Sequence, residues 1–224
     1  MSRFTTLRLE RRGAVDWLCL DRPTALNALD PAMVAELHAY FSDLERDRNC
    51  RVVVLHATGK AFCAGLDLKD IGTRIGEMGA SEIWAEQRSL SRLIVAMRKC
   101  PQPIVCLLQG SASGGGFALA LASDIRIATA DARMNAAFIQ VGLSGCDVGV
   151  SYHLPRMVGS SVAAELLMTG RFLSAQRAHD LGLVSEIVAP EELPEAGERL
   201  VKELLRAAPL ALELTKAGLS AALG

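Results

Sequence analysis

Residues 104–128 read IVCLLQGSASGGGFALALASDIRIA, from Ile104 to Ala128. The stretch opens on Ile104-Val105-Cys106-Leu107-Leu108, a short bounded apolar run of the kind a buried strand carries. A loop of Gln109, Gly110, Ser111, Ala112 and Ser113 follows. Then come Gly114, Gly115 and Gly116, and after them Phe117-Ala118-Leu119-Ala120-Leu121-Ala122, rich in the helix formers Ala and Leu. A second apolar run, Ile125 to Ala128, starts just after Asp124. The predicted order is strand, glycine-rich turn, buried helix, strand.

Consecutive glycines at the mouth of a helix have a physical use. Without Cβ atoms the backbone can take positive φ, and another group can approach its N–H closely. The first N–H groups of a helix lack intrahelical partners and carry the positive end of its dipole. They suit an anion, or a carbonyl oxygen that becomes anionic. The plainer alternative is a flexible, closely packed turn.

Outward from this stretch, strand and helix patterns alternate. Thr5 to Glu10 and Ala14 to Leu20 predict a hairpin around Arg11-Arg12-Gly13. Asp30-Pro31 is an N-cap followed by proline at the first helical position. That helix runs to about Arg46, with Met33, Leu37, Tyr40, Phe41 and Leu44 on one face. Val52 to His56 reads as a buried strand, and Thr58-Gly59-Lys60 turns the chain into Ala61-Phe62-Cys63-Ala64-Gly65-Leu66-Asp67-Leu68. Ile71 to Gly79 holds three glycines and reads as a mobile loop; a helix from Ser81 to about Lys99 ends at Pro101 and Pro103. Asp131 to Phe138 continues the sheet region, and Gly142 to Val148 is a loop. Helical patterns follow at Gly149–Val158, Ser160–Met168 and Ser174–Leu181, then a strand at Val184–Val188 and helices from Pro190 and Pro209. The alternation argues for an α/β fold with helices packed on sheets. Residues 1–190 read as one α/β core and 191–224 as a mostly helical region.

Composition narrows the function. The chain has 224 residues, half of them apolar, enough for a sizeable core. Its net charge is −1 and no long run has one sign, so nucleic acid is not an expected partner. Two Trp, two Tyr and six Phe leave little for stacking bases. None of the six cysteines forms a CxxC pair, and Cys19 and Cys106 sit inside apolar runs. This favours a reducing cytoplasm over a disulfide framework. The start, MSRFTTLRLE, has no apolar core of a signal peptide, and no run approaches a membrane span.

Two glycine-bearing loops, Ala64-Gly65-Leu66-Asp67 and Gly114-Gly115-Gly116, each follow a buried strand. Two separate backbone N–H donors are what an oxyanion hole needs. With these residues the chain resembles the enoyl-CoA hydratase/isomerase family, the crotonases. The resemblance is carried by AFCAGLDL (61–68) and QGSASGGGFALALASDIRIA (109–128). DRPTALNALD (21–30), VGLSGCDVGVSYHLPRMVG (141–159), AAELLMTGRFLSAQRAHDLGLV (163–184) and PLALELTKAGL (209–219) add to it in the family's order.

The resemblance implies a crotonase-like spiral of ββα units with a mostly helical C-terminal region, assembled as a trimer or a pair of trimers. It implies an acyl-CoA thioester substrate, a role in fatty acid metabolism, and a thioester oxygen held by the amides of Leu66 and Gly115. Coenzyme A is then part of the substrate, and no separate cofactor is expected. By the same matching, Ala25, Leu26 and Ala64 lie along the coenzyme. Asp67 matches the family's AGxD aspartate; it can equally cap the following turn. The family also carries further helices after the segment matching PLALELTKAGL, so the sequence reads as cut short at Gly224.

The family's two glutamates are replaced by Ala118 and Phe138, which cannot transfer a proton and are expected to line the pocket. An efficient hydratase holds a water between two carboxylates. Asp147, in SGCDVG, is the remaining candidate acid of the core motifs; it can also be read as the cap of the helix starting near Gly149. Glu77, Glu82 and Glu86 are read as lying on the mobile segment, where an acid has no fixed place from sequence. His153 reads as packing or capping, and Cys63 and Cys146 as small fillers. Two readings of function stay open: an enzyme of the hydratase/isomerase type, and a weakly active or non-catalytic acyl-CoA-binding homologue. A serine hydrolase elbow is disfavoured, because the GxSxG pattern is incomplete at both Gly110–Gly114 and Gly142–Cys146. The glycines lack dinucleotide-site spacing, and no cluster has metal spacing.

Overall fold

The computed structural model describes residues 4–74 and 76–222. The chain opens with the hairpin β1 (Leu7–Arg12) and β2 (Val15–Leu20), turned at Gly13 with φ +60°. Helix α1 (Pro31–Leu44) follows, then β3 (Val52–Ala57), α2 (Leu68–Arg74) and α3 (Ala80–Lys99). The central stretch supplies β4 (Ile104–Leu108), β5 (Ser111–Ser113), α4 (Gly115–Ala122) and β6 (Ile125–Thr129). Then come β7 (Arg133–Asn135), a 3-10 turn over Ala137–Val141, α5 (Val150–Val158) and α6 (Ser160–Thr169). The chain continues through β8 (Leu173–Ser174), α7 (Ala175–Asp180), β9 (Glu186–Val188), α8 (Leu193–Arg206) and α9 (Pro209–Ala222).

The strands form two sheets. The larger has the order β1-β2-β3-β4-β6-β9, parallel throughout except for β1. Its outer strands are therefore β1 and β9. The smaller sheet has the order β5-β7-β8.

Side chains alternate across the large sheet, as strand geometry requires. Leu18, Leu20, Val53, Leu55, Ile104, Cys106 and Leu108 face the main core, shared with α1, α3 and α4. Val15, Trp17, Val52, Val54, Val105, Leu107 and Ile127 face the other way, onto Leu193, Ala196 and Val201 of α8. Burial on both faces explains why β2, β3 and β4 read as almost unbroken apolar runs. The expected face of α1 is fully buried, and Asp30 Oδ1 accepts the Met33 N–H at 2.7 Å. Asp30→Ala should cost about 1 kcal/mol by urea unfolding, and Asp30→Asn should recover most of it. An Ala variant as stable as the wild type would show that the cap contributes nothing.

Two expectations need correction. The loop expected at Gln109–Ser113 contains β5, whose short Ser-Ala-Ser sequence has weak strand preference of its own. Its ladder to β7 and its bridge to Cys63 through Ala112 make it a strand. The mobile loop expected at Ile71–Gly79 is helical up to Arg74, because Asp67 starts α2 by accepting the Asp70 N–H at 3.3 Å. Ile75 lies outside the described residues.

Candidate active site

The chain leaves β4 through Gln109 and Gly110, whose φ is +57°. A Cβ on Gly110 would lie 2.0 Å from the Lys60 carbonyl oxygen, so only glycine lets these two segments run side by side. They are then zipped together. Phe62 N–H donates to Gln109 O at 2.9 Å, Cys63 N–H to Ser111 O at 3.0 Å, and Ser113 N–H to Cys63 O at 2.9 Å.

This zipper brings the two glycine turns together. Gly65 has φ +93°, and a Cβ there would lie 2.7 Å from Ser113 O and 3.4 Å from Gly115 N. A Cβ on Gly115 would lie 3.9 Å from Gly65 Cα. Leu29 clamps the first turn, donating its N–H to Gly65 O at 2.7 Å and accepting from Asp67 N–H at 3.0 Å. Gly114 caps the second at φ +50°, ψ −114°, and hands the chain into α4. Among the described residues, neither the Leu66 nor the Gly115 amide donates to a carbonyl or a side chain. Gly115 also begins a fully buried helix, where the dipole adds positive potential.

Leu66 lines a mainly apolar cleft of about 190 Å³, with Leu29, Ile71, Ile83 and Leu143 in its walls and Glu86 and Gln87 as polar members. A neighbouring hollow shares Ile83, Gln87 and Leu143 and adds Trp84, Cys146 and Asp147. A separate groove between α1 and α3, lined by His38, Arg88, Arg92 and Lys99, includes neither glycine turn.

Asp147 is half-buried at the edge of the second hollow. Its Oδ1 accepts the Val148 N–H at 2.9 Å and also the Gln87 side-chain amide. Burial pushes its pKa above the ordinary carboxylate value, and the Val148 amide only partly opposes this. The residue does not cap α5, whose N-cap is Gly149. Val148 itself is buried with φ +40°, a costly conformation for a β-branched residue.

Ala118 and Phe138, expected to line the pocket, are buried in the main core and line neither hollow. Phe138 packs on the second turn, its Cε1 3.5 Å from where a Gly114 Cβ would be. An apolar ring there gains more from the core than from a wetted cleft.

Asp67 is held by Arg22, whose Nη2 lies 3.1 Å from its Oδ2; the same Arg22 nitrogen lies 3.2 Å from Asp30. Burial would raise the Asp67 carboxyl, but the Asp70 amide and Arg22 hold it below its usual range. Ala25 and Leu26 form a turn in which Leu26 and Asn27 both have positive φ, at +52° and +54°. Buried Asn27 fixes that turn by donating to Thr58 O at 2.8 Å and Ala61 O at 2.9 Å. Ala64 is tied to the same turn, its N–H donating to Leu26 O at 3.0 Å. The structure thus places Ala25, Leu26 and Ala64 on one surface beside the glycine turns. His153 packs behind Gly149, and burial pushes its pKa down to about 4. Burial pushes the Cys63 thiol up to about 12, which keeps it neutral.

Glu86 has no fixed place from sequence, and Gln87 carries no expectation there. The signal was present: Leu90, Leu93, Ile94 and Met97 form the buried stripe of α3. Stepping back one turn from Leu90 lands on Glu86 and Gln87. Polar residues where a stripe should stay apolar mark a cleft.

The model of the enoyl-CoA hydratase/isomerase family matches residues 10–224. The chain belongs to this family. A (E)-benzylidenesuccinyl-CoA hydratase from Thauera aromatica is 34% identical over 213 residues, covering 93% of this chain and 79% of that protein. A 1,2-epoxyphenylacetyl-CoA isomerase from Escherichia coli K12 is 33% identical over 205 residues, with 92% and 78% covered. The crystal structure of an enoyl-CoA hydratase from Mycobacterium smegmatis superposes with TM-score 0.89 at 37% identity, covering 95% of this chain and 81% of that one. The fold is accordingly the crotonase α/β fold expected from the motifs. Among the described residues, no helix is long and apolar enough to cross a membrane.

Proposed function

We propose that this member of the hydratase/isomerase family binds an acyl-CoA thioester and works through an enolate. The Leu66 and Gly115 amides hold the thioester oxygen, and Asp147 serves as a proton donor at the acyl end. The observation that carries the reading is the contact of the two glycine turns, with neither amide meeting a protein acceptor among the described residues and Leu66 in the wall of an apolar cleft. Two such donors lower the energy of negative charge developing on the oxygen. Ala25, Leu26 and Ala64 form a surface along which the coenzyme arm runs, with Asp67 anchoring the turn through Arg22. The active form is a trimer or a pair of trimers, in the cytoplasm, and the substrate supplies the only coenzyme.

The competing reading is an acyl-CoA-binding homologue without turnover. It is weakened by carboxylates in both hollows, even though the usual acid positions hold Ala118 and Phe138. Turnover of a panel of enoyl-CoA thioesters by wild type and Asp147→Asn separates the two. Loss of a general acid should lower kcat by ~10²–10⁴ while binding persists. Unchanged turnover in a folded Asp147→Asn variant removes Asp147 from the chemistry. Absence of acyl-CoA binding by the wild type removes the whole reading.

A further inference from the structure

We propose that Glu86 is a second catalytic carboxylate, the base that works opposite Asp147 in this site. The proposal rests on the reading of Leu66 and Gly115 as the thioester-oxygen site. Three observations point to Glu86. It lines the same cleft as Leu66, so an acyl chain entering that cleft past Leu66 meets it. It lies one turn before buried Leu90, in line with the stripe by which α3 faces the core. It is also adjacent to Gln87, whose side-chain amide holds Asp147, so the two carboxylates stand on either side of one shared wall.

The hydrogen bonds of Asp147 divide the labour. Gln87 and the Val148 amide both donate to Oδ1. Among the described residues no donor reaches Oδ2. Burial favours the neutral form of this carboxyl, and the Val148 amide partly opposes it. Asp147, whose Oδ2 meets no donor among the described residues, takes the acid role in this proposal, and Glu86 the base.

For hydration of an enoyl thioester the step balances as follows. Glu86 takes a proton from water as the water oxygen bonds to the acyl Cβ. The Cα–Cβ π pair moves to form the enolate, with its negative charge on the thioester oxygen at Leu66 and Gly115. Asp147 Oδ2–H gives its proton to Cα, and the enolate electrons restore the C=O bond. Glu86 ends protonated and Asp147 ionised; one proton passing from Glu86 to Asp147 through water resets the pair. The same two groups serve isomerisation if Glu86 removes a proton from one carbon and Asp147 returns one to another.

The experiment uses the whole chain with three readouts. Binding of a conjugated arylenoyl-CoA reports carbonyl polarisation by its absorbance red shift. Hydration, and deuterium uptake at Cα in D2O, report proton transfer. Glu86→Gln should keep affinity and red shift and lose hydration and exchange by at least ~10². Glu86→Asp, which keeps a carboxylate one methylene shorter, should retain the fold and a reduced rate; it serves if the glutamine variant fails to fold. Wild-type exchange and hydration in either folded variant overturn the assignment of Glu86 alone. No red shift with wild type overturns the oxyanion-hole reading, and Glu86 with it. A red shift retained together with loss in Glu86→Gln establishes both.

Discussion

Gly65→Ala is expected to reduce kcat by ~10²–10³, the usual cost of losing one oxyanion donor. The added methyl meets backbone, not a yielding side chain. It would sit 2.7 Å from Ser113 O and 3.4 Å from Gly115 N, at a φ of +93° that L-residues avoid. Relief requires the two glycine turns to separate, which moves the Leu66 amide away from the Gly115 amide. Affinity for the coenzyme arm should change far less, because the Ala25–Leu26 turn is fixed separately, by Asn27 donating to Thr58 O and Ala61 O. Steady-state kinetics on a variant with wild-type circular dichroism checks this. A folded Gly65→Ala variant with wild-type kcat would mean that the two amides do not share an oxygen.

Arg126→Leu is expected to be the most damaging single change to stability. Arg126 is 8% exposed, and among the described residues no carboxylate pairs with its head group. Its Nε donates to Leu183 O at 2.6 Å, and its Nη1 to Ala120 O at 3.1 Å and Ser123 O at 2.6 Å. The last two carbonyls end α4, so the cation also meets the negative end of that helix dipole. Burial pulls its pKa below the ordinary guanidinium value, yet a guanidinium stays charged in proteins. Leucine leaves the three carbonyls buried without donors, at about 1–3 kcal/mol each. A total loss of at least about 3 kcal/mol is a large part of the 5–15 kcal/mol that holds a typical domain. Urea unfolding measures it; a loss under about 1 kcal/mol would show that water reaches those carbonyls.

Much of the fold was legible. The apolar run Ile104–Leu108 is β4 to the residue, and Asp30-Pro31 marks the start of α1 as local cap chemistry dictates. The hairpin around Gly13 and the helices from Ser160 and Pro209 also follow from local signals. What stayed hidden depends on distant partners. Ser111–Ser113 becomes a strand only because Cys63 and β7 lie alongside. Residues 68–74 become a helix against the expectation from their glycine because Asp67, held by Arg22, caps them. The site divides in the same way. Gly65 shows its constraint in residue type, since a Cβ there would meet the Ser113 carbonyl at 2.7 Å, whereas at Gly115 it would crowd only the Leu29 side-chain tip. Asp147 looked like a cap because its chain position suits one, but the φ of +80° at Gly149 begins α5 two residues later. Glu86 was visible only as one acid among three, until the stripe of α3 gave it a direction.

The outer strands of the large sheet carry a further consequence, for self-association. Interior strands such as Val52-Val53-Val54-Leu55 would template fibril growth if they lay on an open edge. At one edge stands β1, which shows solvent five of its six residues, among them Arg8, Glu10, Arg11 and Arg12. At the other, β9 is three residues long, and its Glu186 is paired with Arg199 at 2.8 Å. Charge along one rim and brevity at the other deny an incoming strand a flat apolar ladder. The aggregation-prone centre of the sheet is thereby sealed at both ends.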